Sequence, residues 1–264
     1  MDLQLEGKRA LVTGSTAGIG FAAALGLAGE GARVVLNGRT EARVEEARKR
    51  IEAAVPAADV IGIAADVSNA DGVKELLDRL PDVDILVNNL GIFEPKPFEQ
   101  IADEEWLRFF ETNVMSGVRL SRHYLPRMKE SNWGRILFIS SESAVYVPAE
   151  MIHYGMTKTA QLAVARGLAE TTVGTGVTVN SILPGPTKSE GVETFVAQLA
   201  EGHGTDIATI EKEFFRTGRP SSLLQRFISP EEVASLIVFA CSPRSSAING
   251  AALRVEGGIV KSIV

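Results

Sequence analysis

Short runs of β-branched and aliphatic residues alternate with longer helix-patterned stretches from one end of the chain to the other, and this alternation leaves few folds open. Strand patterns are read at 9–13, 33–36, 60–63, 84–87, 136–139, 177–182 and 251–255. Between them lie helical patterns at 18–29, 40–54, 68–80, 103–129, 154–172 and 230–241. Thr40 and Ser68 read as N-caps, and Pro126 is expected to distort the last turns of the longest helix. Apolar strands alternating with helices imply a parallel sheet covered on both faces. The expectation is an α/β, doubly wound (Rossmann) fold of about seven parallel strands with helices on both faces, binding ligands at the carboxyl ends of its strands. With 264 residues, 45% of them hydrophobic, and no Pro/Gly/Ser-rich linker, 1–264 is read as one domain.

The charge balance is 27 basic against 33 acidic residues, a net charge of −6, with no Lys/Arg-rich run to suit nucleic acid or an anionic membrane. A small, diffusible molecule is the expected partner. The start of the chain lacks the apolar stretch of a signal peptide, and no run approaches the roughly 18 apolar residues that span a bilayer, so a cytoplasmic protein is expected. Cys241, the one cysteine, sits in an apolar run and reads as a buried small hydrophobe. His123, His153 and His203 show no metal-ligand spacing. The segment 190–228 carries no strand pattern but holds Phe195, Leu199, Phe214, Phe215, Leu223, Leu224 and Phe227. It follows a strand's carboxyl end, where a substrate lid belongs; a satellite core or an oligomer contact is the alternative.

After the first strand comes Thr13-Gly14-Ser15-Thr16-Ala17-Gly18-Ile19-Gly20, opening directly into a helix. Glycines there keep side chains out of the turn, so that backbone approaches a pyrophosphate at the positive end of the helix. In dinucleotide sites an acid about 20 residues further on holds the ribose diol of NAD. Here the sequence reads Asn37-Gly38-Arg39, with no acid and a guanidinium suited to a 2′-phosphate. NADP is the expected cofactor, with NAD left open because Arg39 is also compatible with stacking on adenine.

The spaced glycines, Asn88-Asn89-Leu90-Gly91 and Tyr154-x-x-x-Lys158 together resemble the short-chain dehydrogenase/reductase family, over nearly the whole chain and in the family's order. The branch is similar to that of the 3-oxoacyl-carrier-protein reductases and many small-ketone or sugar dehydrogenases. The resemblance implies that Asp66 and Val67 contact adenine and that Asn88, Asn89 and Gly91 line the cofactor cleft. It further implies that Pro184-Gly185 forms a turn from which Thr187 and Ser189 hold the nicotinamide carboxamide. Leu90 stands where the family has Ala, which puts the cleft's geometry in question. A homotetramer is implied by the same analogy.

Within that frame Ser141, Tyr154, Lys158 and Asn113 are the expected catalytic residues. Tyr154 and Lys158 are four apart on one predicted helix face. A phenol, of pKa about 10, becomes a usable acid and base for an alkoxide only when nearby positive charge favours tyrosinate. Ser141 follows a strand and is placed to polarise the substrate oxygen. Asn113 resembles the family's helix asparagine, whose distorted helix leaves a main-chain carbonyl holding a proton-relaying water. The expected activity is hydride transfer between NADP(H) and a ketone or secondary alcohol; a catalytically silent dinucleotide sensor is the alternative. Glu142, Lys188 and Glu190 are read as polar groups available to a substrate pocket, with a solvated loop as the equal alternative for Glu142.

Overall fold

The computed structural model describes residues 2–263. Its strands are β1 (Arg9–Val12), β2 (Arg33–Gly38), β3 (Val60–Ala64), β4 (Ile85–Asn88), β5 (Gly134–Ile139), β6 (Val177–Pro184) and β7 (Ala252–Val255). They form a single seven-stranded sheet in the order β3-β2-β1-β4-β5-β6-β7, every pair parallel. The helices are α1 (Gly18–Gly29), α2 (Glu41–Ala54), α3 (Ala70–Arg79), α4 (Asp103–Phe110), α5 (Ser116–Glu130), α6 (Ile152–Glu170), α7 (Glu190–His203), α8 (Ile207–Glu213) and α9 (Pro230–Cys241).

Side chains along a strand point alternately to opposite faces, and the sheet accordingly separates two cores. Ala10, Val12, Leu137 and Ile139 face α1 and α9, where Leu27, Val233 and Ile237 complete one cluster. Leu11, Ile136 and Phe138 face the other way, onto Leu76, Leu120, Tyr124 and Ala165 of α3, α5 and α6. Strand order reverses beside β1, whose neighbours are β2 and β4, and a crevice opens there at the carboxyl edge of the sheet.

Two local expectations are corrected, in the long helix and at the cap of α3. The pattern at 103–129 is not one continuous helix: a π-helical turn, Glu111–Met115, separates α4 from α5. Pro126 lies inside α5, which continues to Glu130. The N-cap of α3 is Asn69 rather than Ser68, its side chain accepting from Gly72 N at 3.0 Å.

The segment 190–228 contains α7, α8 and a π-helical turn, Phe214–Gly218. Its two ends are stitched together, since Lys188 N donates to Ile228 O at 2.8 Å and Ile228 N to Pro186 O at 2.9 Å. Phe215 and Phe227 are buried and form a small cluster with Val196, against which Phe214 packs. Those aromatics therefore give the segment a core of its own, whereas Leu223 and Leu224 are exposed. The side chains of Glu190, Phe195, Leu199 and His203 lie outside the described residues.

Candidate active site

The glycine turn is held open by backbone geometry. Gly14 (φ +60°) and Gly18 (φ +55°) adopt left-handed conformations that disfavour any side chain. A Cβ on Gly20 would lie 2.4 Å from Asn89 Nδ2 and 2.6 Å from the Gly14 carbonyl. Asn89 Nδ2 donates to the carbonyls of Thr13 (2.9 Å) and Gly14 (3.1 Å), which ties the end of β4 to the turn. No side chain caps α1 and its first turn carries no acid, so its N–H groups and positive end face the crevice. Ile19 lies in that first turn. This is a cradle for a pyrophosphate, built from backbone alone.

Ser15 and Asn37 are buried and brace one another: Asn37 N donates to Ser15 Oγ at 3.0 Å, and Ser15 N to Asn37 O at 2.9 Å. Asn37 Nδ2 donates to the Ile63 and Ala65 carbonyls, so its side chain joins β2 to β3 rather than facing the crevice. Arg39, which is exposed, follows Gly38, whose Cβ position abuts Thr16 of the glycine turn. A Cβ at Gly38 would lie 2.6 Å from Thr16 Cγ2, so a side chain there would have to displace Thr16. Val67 is buried in the core behind the crevice, while Asp66 is half-buried and accepts Ser68 N through Oδ1.

After β6, Gly185 fits because a Cβ would meet the Glu256 carbonyl at 2.7 Å. Thr187 Oγ1 donates to Gly185 O at 2.9 Å, and Ser189 Cβ comes within 3.4 Å of the Cβ position on Gly18. The loop after Pro184 thus closes over the glycine turn. Leu90 is half-buried: it packs on the α3–α5–α6 core and its Cδ1 lies 3.6 Å from the Cβ position on Gly14, so it abuts the turn.

Beyond β5, Ser141, Tyr154 and Lys158 converge. Lys158 is buried; its Nζ donates to the Ile139 carbonyl at 2.8 Å and to Gln161 Oε1 at 3.4 Å, and lies 5.5 Å from the centre of the Tyr154 ring. Phe93 meets the Tyr154 ring edge to face at 6.4 Å. Gly91 covers Lys158, a Cβ there lying 3.4 Å from Nζ. Burial pushes the Tyr154 phenol up from its ordinary range and the Glu142 carboxylate adds to this, while the neighbouring Ser141 hydroxyl and the Arg219 cation oppose it. Burial alone pulls Lys158 down to about 7.

Asn113 sits in the π-helical turn. Its Oδ1 accepts Ile92 N at 2.8 Å and its Nδ2 donates to Ile92 O and Thr157 Oγ1, each at 3.0 Å. The expected helix distortion is present. At the carbonyl, however, Gln161 Nε2 donates at 2.5 Å, leaving one lone pair for a water. The signal for Gln161 was a polar residue three after Lys158 on a helix face that is otherwise core.

A second unanticipated contact is Arg219, which reaches from the 190–228 segment to pair with buried Glu142. Glu142 is therefore committed within the protein and is not a solvated loop residue. A cavity of about 380 Å³ adjoins these residues, lined by Val145, Tyr146, Pro220, Ser221 and the 259–262 stretch. His153 is buried against Phe109, ring centres 4.0 Å apart, away from the Tyr154 phenol's partners. Cys241 is fully buried, its thiol pushed up to about 12.

The profile of the short chain dehydrogenase family matches residues 8–200. An uncharacterized oxidoreductase, YvaG, of Bacillus subtilis (strain 168) is 51% identical over 263 residues, covering 100% of both chains. The D-beta-hydroxybutyrate dehydrogenase of Cupriavidus necator is 32% identical, over 97% of this chain and 99% of its own. Among solved structures, the L-sorbose reductase of Gluconobacter frateurii, complexed with NADPH and L-sorbose, superposes with a TM-score of 0.94 at 32% identity, covering 100% of each chain.

Proposed function

The chain belongs to the short-chain dehydrogenase/reductase family, whose members are oxidoreductases, and on that premise we propose that it interconverts a ketone and a secondary alcohol with NADP(H). The observation that carries the reading is the meeting, at one edge of the sheet, of the uncapped glycine-walled end of α1 with Ser141, Tyr154 and Lys158.

The residues fit a dinucleotide. Gly14 to Gly20 receive the pyrophosphate, Asp66 borders the adenine pocket, and Thr187 and Ser189 border the nicotinamide end. NADP over NAD is supported by the missing acid, by Thr16 packed against the Gly38 position where one would stand, and by the exposed Arg39 that follows it. When bound, the cofactor supplies or accepts the hydride. Ser141 then polarises the carbonyl oxygen, and Tyr154 delivers the proton that the developing alkoxide requires. Lys158, close to the phenol and charged below about 7, favours tyrosinate when the reaction runs toward the ketone. Asn113 and Gln161 hold Lys158 to the π-helical turn.

The named relatives act on a small hydroxy acid and a ketose, and a partly apolar mouth at Phe93 beside the Ser141 and Tyr154 hydroxyls suits a small ketone. The 190–228 segment serves as the lid over it, and the enzyme is taken to be a cytoplasmic homotetramer. The test is NADPH and NADH oxidation over a panel of acetoacetate, L-sorbose, 5-keto-D-gluconate and ethyl acetoacetate. Turnover of at least one ketone, faster with NADPH, is expected. Tight NADPH binding with no turnover across ketones and diketones would favour the silent sensor instead. Light scattering reads the oligomer.

A further inference from the structure

We propose that Glu142 and Arg219 are positioning residues for Ser141: a buried carboxylate that orients the serine hydroxyl, and a guanidinium from the lid segment that sets how tightly that hydroxyl is held. This rests on the roles given above to Ser141 and Tyr154.

Ser141 Oγ donates to Glu142 Oε2 at 2.5 Å, and the same oxygen accepts Ser143 N at 2.9 Å and Ser143 Oγ at 3.2 Å. The other oxygen, Oε1, accepts Arg219 Nε at 3.1 Å. Both side chains of this ion pair are 5% exposed. Three donors crowd Oε2, Arg219 Nε holds Oε1, and the side chain is 5% exposed, so Glu142 faces its protein partners rather than a substrate. It acts through its neighbour.

A serine hydroxyl has one proton to donate. While that proton lies on Glu142 and Ser143 N donates to one lone pair of Ser141 Oγ at 3.1 Å, Ser141 presents its other lone pair to the site, which suits an alcohol or the Tyr154 phenol. Polarising a ketone oxygen, or bonding to a tyrosinate, requires the hydroxyl to turn away from a charge-assisted bond, the stronger kind. Arg219 draws electron density to the opposite oxygen of Glu142 and so weakens that hold. Arg219 Nη1 is itself fixed by the Gly218 carbonyl at 2.8 Å and by Glu150 at 3.4 Å. Docking of the lid segment and release of the Ser141 proton are thereby linked.

The charged groups facing Tyr154 are Glu142 from the turn after β5, Arg219 from the lid segment and Lys158 from its own helix, with Glu150 behind Arg219. The test titrates the Tyr154 phenol by its tyrosinate ultraviolet band in the NADP⁺-bound protein. Each value is a difference from the matching protein carrying Tyr154→Phe. The set is wild type, Ser141→Ala, Glu142→Gln and the Ser141→Ala/Glu142→Gln double variant. Glu142→Gln is expected to lower the midpoint by about one pH unit, since it removes a negative charge and frees the serine proton for tyrosinate. In the Ser141→Ala background that shift is expected to shrink by half or more. An equal shift in both backgrounds, or none, overturns the proposal, because Glu142 would then act by charge alone or not at all.

Arg219→Met is expected to raise the midpoint and Arg219→Lys to restore most of it; unshifted titration in a folded Arg219→Met protein contradicts the lid's part. Should that variant fail to fold, the Glu142 cycle decides alone. The titration needs no turnover, so a wild type that reduces no ketone would count against the enzymatic reading and not against this one.

Discussion

The side-chain amide of Gln161 donates to the main-chain carbonyl of Asn113 at 2.5 Å while its oxygen accepts from Lys158 Nζ at 3.4 Å. One buried residue thus joins the π-helical turn to the lysine beneath the phenol. Gln161→Leu removes an acceptor from the buried ammonium and moves Lys158 further below about 7. We expect kcat to fall roughly 10-fold with NADPH affinity unchanged, and stability to drop by about 1–2 kcal/mol. Unaltered pH profiles and kcat would show that Gln161 only fills space.

Lys158 also predicts a pH dependence of folding. Its folded pKa is depressed from 10.5 to about 7 by burial. Below about 7 the buried charge costs stability in full; above it the folded form is neutral while the unfolded form still binds the proton, so stability rises with pH up to about 10.5. The ligand-free wild type should therefore gain Tm on Lys158→Met as pH rises through that window. Parallel Tm curves for the two proteins would contradict the burial argument.

Arg39 follows Gly38, whose Cβ position abuts the glycine turn and where no carboxylate stands. Arg39→Ala is expected to raise KM for NADPH at least about 10-fold and leave KM for NADH within a factor of about 2, as loss of a charge-assisted phosphate contact requires. Equal changes for both cofactors would assign Arg39 to the adenine or to solvent.

Phe215 is 1% exposed at the centre of the small cluster that orders the 190–228 segment. Phe215→Ala opens a cavity of the kind that costs about 3–5 kcal/mol in a core. Because the cluster is local, hydrogen exchange should quicken in α7 and α8 and substrate KM should rise, while NADPH affinity holds. Faster exchange throughout the sheet would instead make the cluster part of the main core.

The sheet was legible because β4 and β5 carry continuous apolar runs, Ile85–Val87 and Ile136–Ile139, as strands buried on both faces do. The glycine turn was legible for a similar reason: Gly14, Gly18 and Gly20 mark backbone geometry that other residues resist. The π-helical turn at Asn113 left no sign in the periodicity, because its extra residue shows only in hydrogen bonding; the resemblance to the family's helix asparagine alone implied a distortion there. Arg219 left no local sign, because its partner Glu142 lies 77 residues earlier. The lid aromatics showed an apolar surface without showing that Phe215 and Phe227 bury one another.

The most direct measurement compares wild type with Tyr154→Phe in single-turnover reduction of the fastest ketone of the panel, with NADPH affinity taken by fluorescence titration. The phenylalanine ring keeps the packing against Phe93 and removes only the hydroxyl. Loss of the proton donor is expected to slow hydride transfer by at least about 10³-fold, at the upper part of the range for positioned acids and bases, with NADPH binding within a factor of about 2. A variant that reduces the ketone at the wild-type rate would contradict the assignment of Tyr154 as the proton carrier.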